Sequence, residues 1–144
     1  MLHDTAAYLR GTWDVDRALV DHRAGVAGAF RGTAVFQDLP GDGGTPVVEH
    51  AEHGELAWGG VTGRAGRTLH VLPRLDGSAR VTFADGRDFH DLDLRTGSWT
   101  AHHPCAADSY AGTFTVVSPD EWHVRWDVTG PAKDHTLTTV YRRA

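Results

Sequence analysis

The sequence predicts an all-β fold: a single closed antiparallel β-barrel of about 8–10 strands with a short N-terminal helix, spanning residues 1–144. Three observations lead there. Apolar and polar residues alternate with period two along most of the chain. Turn residues, most of them including glycine, punctuate the runs at short intervals. Consecutive runs joined this closely form hairpins, and a meander of hairpins must hide its edge strands, which closure into a barrel achieves. The rival arrangement is an open sandwich with a filled core.

The helix is expected at Asp4 to Leu9, with Asp4 or Thr5 as its N-cap and Gly11 as its stop. Strand-like runs follow at roughly 12–20, 27–37, 46–52, 55–60, 67–73, 78–84, 87–94, 98–104, 112–118, 121–129 and 134–142, some of which can merge. Pro40-Gly41-Asp42-Gly43-Gly44 is a loop between strands rather than a domain boundary.

The 40% hydrophobic and 23% charged shares describe a globular chain. No apolar run reaches the length of a membrane span, and the start lacks the basic and apolar regions of a signal peptide, so a cytoplasmic protein is expected. The lone Cys105 excludes an internal disulfide. A net charge of −5, with no basic cluster larger than Arg142-Arg143, argues against a nucleic-acid partner. A small molecule is the expected partner of a monomer or homodimer. Ten histidines give the chain unusual capacity for proton chemistry near neutral pH.

Two turns predict an interior site. Asp85-Gly86, read as a two-residue hairpin, places Val81 opposite His90 and Arg80 opposite Asp91 as a charge pair. Thr96-Gly97, read the same way, places His90 opposite His103, Leu92 opposite Ala101 and Leu94 opposite Trp99. A three-residue loop with a bulge at Gly97 would bring His102 opposite His90 instead. In the first register His90, Trp99, His103 and Cys105 share the apolar face. Arg17 shares the apolar face of the first strand with Trp13, Val15 and Leu19, so it needs a carboxylate or an anionic ligand unless it reaches water at the barrel mouth. Asp108 and Tyr110 follow in a bend at the rim. Lys133 lies in a tight connection, facing the mouth or solvent.

His90, His103, Asp108 and Tyr110 are thus the candidates for general acid–base chemistry, which requires only a positioned group of suitable pKa. Arg17, Cys105, Trp99 and Trp126 are candidate ligand contacts, the tryptophans as aromatic walls. Core histidines satisfied by their neighbours, and core tryptophans, are the simpler alternative. His90, His103 and Cys105 offer nitrogen and sulfur to zinc or copper, but their spacing matches no known finger, and no resident metal or cofactor is expected. No nucleophile elbow, P-loop or dinucleotide fingerprint occurs.

Gly11-Thr12-Trp13 after a short helix, with Arg142-Arg143 near the chain end, resembles the lipocalin and wider calycin arrangement, in which a late arginine covers a first-strand tryptophan. Four longer blocks cover nearly the whole chain. They are Leu9-x-Gly11-x-Trp13…Arg17, Phe83-x-Asp85-Gly86-Arg87-x-Phe89-His90, His103-x-Cys105-x-x-Asp108-x-Tyr110, and Trp126-x-Val128-x-Gly130-Pro131-x-Lys133-Asp134…Tyr141-Arg142. Together they resemble the bacterial domain-of-unknown-function family numbered 6314. His135 departs from the aromatic residue expected there. The resemblance implies a calycin-like barrel with no assigned activity, and it adds Arg87 and Lys133 to the candidate ligand contacts. The resulting expectation is a small-molecule-handling barrel, sharpened as an acid–base isomerase, cyclase or lyase of bacterial secondary metabolism. The alternatives are a non-catalytic carrier or sensor, and a haem- or metal-binding barrel using His90 or His103.

Overall fold

The computed structural model describes residues 2–40, 44 and 46–144. Helix α1 (Thr5–Leu9) precedes ten strands: β1 (Gly11–Asp21), β2 (Val26–Asp38), β3 (Val48–Trp58), β4 (Val61–Pro73), β5 (Ala79–Phe83), β6 (Asp88–Leu92), β7 (Ser98–Cys105), β8 (Asp108–Ser118), β9 (Glu121–Thr129) and β10 (Asp134–Arg143). All pairings are antiparallel, in the order β6-β5-β4-β3-β2-β1-β10-β9-β8-β7. The strands curl into a nearly closed, calycin-like barrel, as the alternation predicts. Among the described residues no helix is long and apolar enough to cross a membrane.

One end of the barrel is plugged. Asp4 caps α1 by accepting from the Ala7 N–H at 3.0 Å, and Ala6 and Leu9 face the core. The Trp13 indole N–H donates to the Leu9 carbonyl at 2.8 Å. Arg143 lies 3.9 Å above the Trp13 ring and donates to the carbonyls of Arg10 and Tyr8, each at 3.0 Å. A cation–π contact thus fastens the helix to the barrel base, as the calycin resemblance implies, with Arg143 as the closing residue. The hairpins β1–β2, β3–β4, β5–β6, β7–β8 and β9–β10 turn at the opposite end, the mouth.

Several local expectations need correction. The runs 46–52 and 55–60 form one strand, β3, because Gly54 is not a turn; it pairs with Gly32 inside the ladder. The Asp85-Gly86 turn is one residue longer than expected. The Phe83 N–H bonds the Arg87 carbonyl at 2.9 Å, and only Gly86 takes positive φ, 91°. A bulge then gives β6 an extra residue, so Val81 still meets His90 and Arg80 still meets Asp91. The two deviations cancel, leaving the expected pairs in place. The Arg80–Asp91 charge pair does not form: Arg80 pairs with Asp88, and Asp91 accepts from Arg74 at 2.6 Å. Asp108 and Tyr110 lie within β8 rather than in a bend.

The largest correction is at the β6–β7 connection. Among the described residues β6 and β7 form no ladder, so His90 is not opposite His103, nor Leu92 opposite Ala101, nor Leu94 opposite Trp99. His103 pairs with Tyr110, Ala101 with Gly112 and Trp99 with Phe114. The cause is α1. Beyond Leu92 the chain is drawn to the helix, where the Leu94 N–H donates to Thr5 Oγ1 at 3.0 Å. β6 and β7 therefore face each other across a seam.

Candidate functional site

The ladder register carries a set of ionisable side chains into the interior. Arg17 on β1 lies opposite Thr139 on β10 and Phe30 on β2; Glu52 on β3 lies opposite Arg67 on β4. Arg17 Nε donates to Thr139 Oγ1 at 2.8 Å, and its Nη2 donates to Glu52 Oε1 at 2.9 Å and the Tyr141 hydroxyl at 3.0 Å. Arg67 Nε donates to Glu52 Oε1 at 3.2 Å. His50 Nε2 lies 2.7 Å from Glu52 Oε2, and the Tyr141 hydroxyl donates to the same oxygen. An ionised carboxylate only accepts, so His50 carries its proton on Nε2.

Glu52 has no solvent exposure and Arg17 keeps 7% of its surface. Burial opposes ionisation of Glu52, yet the His50 hydrogen bond and the Arg67 and Arg17 charges outweigh it and hold the carboxyl well below its usual range. Burial keeps His50 neutral despite Glu52. Burial, and then the Glu52 charge, push the Tyr141 hydroxyl up to about 12. The interior is therefore crossed by a belt holding two guanidiniums, one carboxylate, a neutral imidazole and a neutral phenol.

The sequence singles out Arg17 and its need for an acceptor, and misses Glu52, His50, Arg67 and Tyr141. A signal was present. His50 and Glu52 alternate with Val48, Arg67 with Leu69 and Val71, and Tyr141 with Thr139 and Leu137.

Two voids flank the belt. On the plugged side lies a narrow space of about 30 Å³, lined by Phe36, Leu69, Val81, Trp122, Tyr141 and His90, among others. It fits a water-sized group and no organic ligand. Trp122 Nε1 is the one side-chain polar atom among the described residues that is wholly shielded from solvent and has no hydrogen-bond partner. Toward the mouth lies a chamber of about 180 Å³ with Arg17, Glu52 and Arg67 at its base and Leu19, Phe30, Leu56 and Leu137 as walls.

The other predicted residues divide into two places. At the seam, the His90 ring lies against Phe89, Phe114 and Trp126, with ring centroids 4.8–5.4 Å apart. His90 Nδ1 is 2.7 Å from the Asp91 carbonyl, which also accepts from the Trp99 indole at 2.7 Å. A carbonyl only accepts, so Nδ1 carries the proton and the Nε2 lone pair has no protein partner among the described residues. Burial lowers the His90 pKa to about 4, so the ring is neutral near pH 7. Because of the bulge Phe89 also turns inward, stacking on Phe83 at 4.7 Å and Trp126 at 5.0 Å. Trp126 lies over Gly112, where a Cβ would meet the indole at 2.8 Å. Phe83, Phe89 and Trp126 thus form one aromatic stack beside His90.

The second place is the mouth. His103 packs against Phe89 at 5.3 Å and Tyr110 at 6.0 Å. Cys105 pairs with Asp108 at the tip of the β7–β8 hairpin and is exposed, so it does not point into the closed interior. Lys133 faces Asp108 at 3.2 Å, and that hydrogen bond, with the nearby Tyr110, raises its pKa. Arg87 is exposed, bound to Asp85 at 2.7 Å and resting 5.1 Å above the Phe83 ring. Among the described residues no three His, Cys, Asp or Glu side chains converge as a metal site.

The fold has solved counterparts. The S-type phycobiliprotein lyase CPES from Guillardia theta superposes with a TM-score of 0.65 at 8% identity, over 96% of this chain and 90% of that one. A de novo designed fluorescence-activating β-barrel gives 0.52 at 19% identity, with both chains fully covered. The barrel EF1p2_mFAP2b, bound to DFHBI, gives 0.51 at 13% identity, also over the full length of both. At these identities the likeness concerns the fold. Curated proteins yield no sequence match. The four sequence blocks find their counterpart in a family profile that matches residues 9–143, and the chain belongs to that family of unknown function, DUF6314.

Proposed function

We propose that this barrel handles a small organic molecule, held in the mouth-side chamber above the ionic belt. One observation carries the reading. An open, apolar-walled chamber of about 180 Å³ ends on a buried arginine, while the space on the other side of the belt is all but filled. A concave apolar site with a few convergent polar groups is the general form of a ligand pocket. The named lyase and the DFHBI-bound barrel add support from fold analogy alone. A thermal-shift screen of small organic acids, alcohols and amines tests it. Ligands should raise Tm, and Leu137→Trp, which fills the chamber, should abolish the shift. If every hit survives Leu137→Trp, the chamber is not the site.

The sharper form of the proposal is acid–base catalysis of the isomerase, cyclase or lyase type, within bacterial secondary metabolism. The uncommitted Nε2 lone pair of His90 is an acceptor of the kind a general base needs, but it opens on the small void beyond the belt, so on the chamber side the acid–base role falls to the mouth residues. His103, Asp108 and Tyr110 complete that set at the mouth, and Arg87 and Lys133 stand at its edge. On this reading His90→Ala and His103→Ala abolish turnover of an identified substrate while only weakening its binding. Full turnover in both variants sinks the catalytic reading and leaves a carrier or sensor.

A further inference from the structure

The belt is electrically unbalanced. Arg17 and Arg67 carry two positive charges, Glu52 supplies one negative charge, and His50 and Tyr141 are neutral. One positive charge is left over at the base of an apolar chamber. At the mouth Asp108 is matched by Lys133 at 3.2 Å, and Asp21 is engaged by its own turn, accepting the Arg23 and Ala24 N–H groups at 3.0 Å each. Burying a charge without a counter-charge is costly, so an interior with a surplus is suited to an ion of opposite sign.

The hydrogen bonds agree with the charge count. Arg17 uses Nε and Nη2 within the belt, and Arg67 uses Nε and Nη2. Among the described residues neither Nη1 donates to the protein. Arg17 is more than nine-tenths buried and still lines the chamber; the Arg67 side chain keeps 36% of its surface and borders both voids. Phe30 lies under the Arg17 guanidinium at 5.2 Å and fixes its plane. Two pre-positioned guanidiniums with spare donors suit a group with two or three equivalent oxygens.

We infer that the chamber binds a ligand carrying one anionic group, a carboxylate or a sulfonate, on the spare Nη1 donors of Arg17 and Arg67, with its apolar remainder against Leu19, Phe30, Leu56 and Leu137. This rests on the reading of the chamber as the ligand site. It adds the ligand's charge and its orientation, acid inward and apolar part toward the mouth.

Calorimetric titration of the full chain with octanoate and naphthoate, against octanol and naphthalenemethanol, tests it. Each acid should bind at least about ten-fold more tightly than its alcohol, the scale of one hydrogen bond to a charged group. Arg67→Gln removes the surplus charge and should cut the acid's advantage over its alcohol from about ten-fold to none. Glu52→Gln raises the surplus, and octanoate should then raise Tm by more than it does in the parent protein, while octanol should not. That stability readout keeps the inference testable if Arg67→Gln does not fold. Alcohols that bind as tightly as acids, or equal octanoate-induced Tm shifts in the parent and Glu52→Gln, overturn the anion site and leave the chamber standing. If neither acid nor alcohol binds, the chamber reading falls, and the anion site with it.

Discussion

The belt and the β6–β7 seam bury polar side chains under opposite rules. In the belt the partners come from the ladder itself: Glu52 faces Arg67 across β3–β4, and Arg17 faces Thr139 across β1–β10. Charge is kept there because each charged group meets an opposite charge or a matched donor. At the seam no backbone ladder links β6 to β7, and side chains supply the hydrogen bonds, with His90 and Trp99 both donating to the Asp91 carbonyl. Charge is shed there, and burial holds His90 neutral. In the belt the paired strands bring an opposite charge beside each buried ion, whereas the seam offers the His90 ring a carbonyl.

The comparison breaks most sharply at Glu52. Glu52→Ala leaves two guanidiniums without a counter-ion and should cost about 3–5 kcal/mol in urea unfolding. A cost below about 1 kcal/mol would mean that the belt is hydrated rather than ion-paired. Acid separates the two regions next. His90 binds a proton near pH 6.5 when unfolded and only near 4 when folded, so its share of stability is complete above 6.5 and is lost as pH falls toward 4. That share is about 3 kcal/mol at most. His50 acts in the same direction. Glu52, held below its ordinary value of 4.5, adds a further loss only below that pH. Stability measured from pH 7 to 4 should therefore decline before the carboxylates titrate, and His90→Phe should flatten part of the decline. An unchanged slope in His90→Phe would remove His90 as its source.

Smaller effects sharpen the contrast. Gly112→Val pushes a side chain into the Trp126 ring and should cost about 1–3 kcal/mol by overpacking the seam-side stack. Near-UV circular dichroism of Trp126 should change with it; an unaltered spectrum would show that the indole is not held against β8. Arg87→Ala, at an exposed site paired only with Asp85, should change unfolding stability by no more than about 0.5 kcal/mol. A larger loss would show that its contact with the Phe83 ring supports the stack.

The alternation and the turns determine the all-β class, the short N-terminal helix capped by Asp4 or Thr5, and the inward face of β1, because these depend on spacing within a few residues. The pairing of Val81 with His90 is legible for a less direct reason: the longer turn at Gly86 and the bulge in β6 offset each other. Arg17 is legible as a buried cation by its place between Val15 and Leu19. Its acceptor is not, because Glu52 lies 35 residues away and becomes its neighbour only when β1, β2 and β3 pair in one register. His90 and His103 are legible as inward residues, but their direct opposition is not realised. Beyond β6 the chain instead bonds to α1 through Leu94 and Thr5, a contact between residues 89 positions apart that local spacing does not encode. The volume on each side of the belt was likewise a tertiary outcome. It depends on whether Phe89, Phe114 and Trp126 meet as one stack, and short-range periodicity holds no information about that.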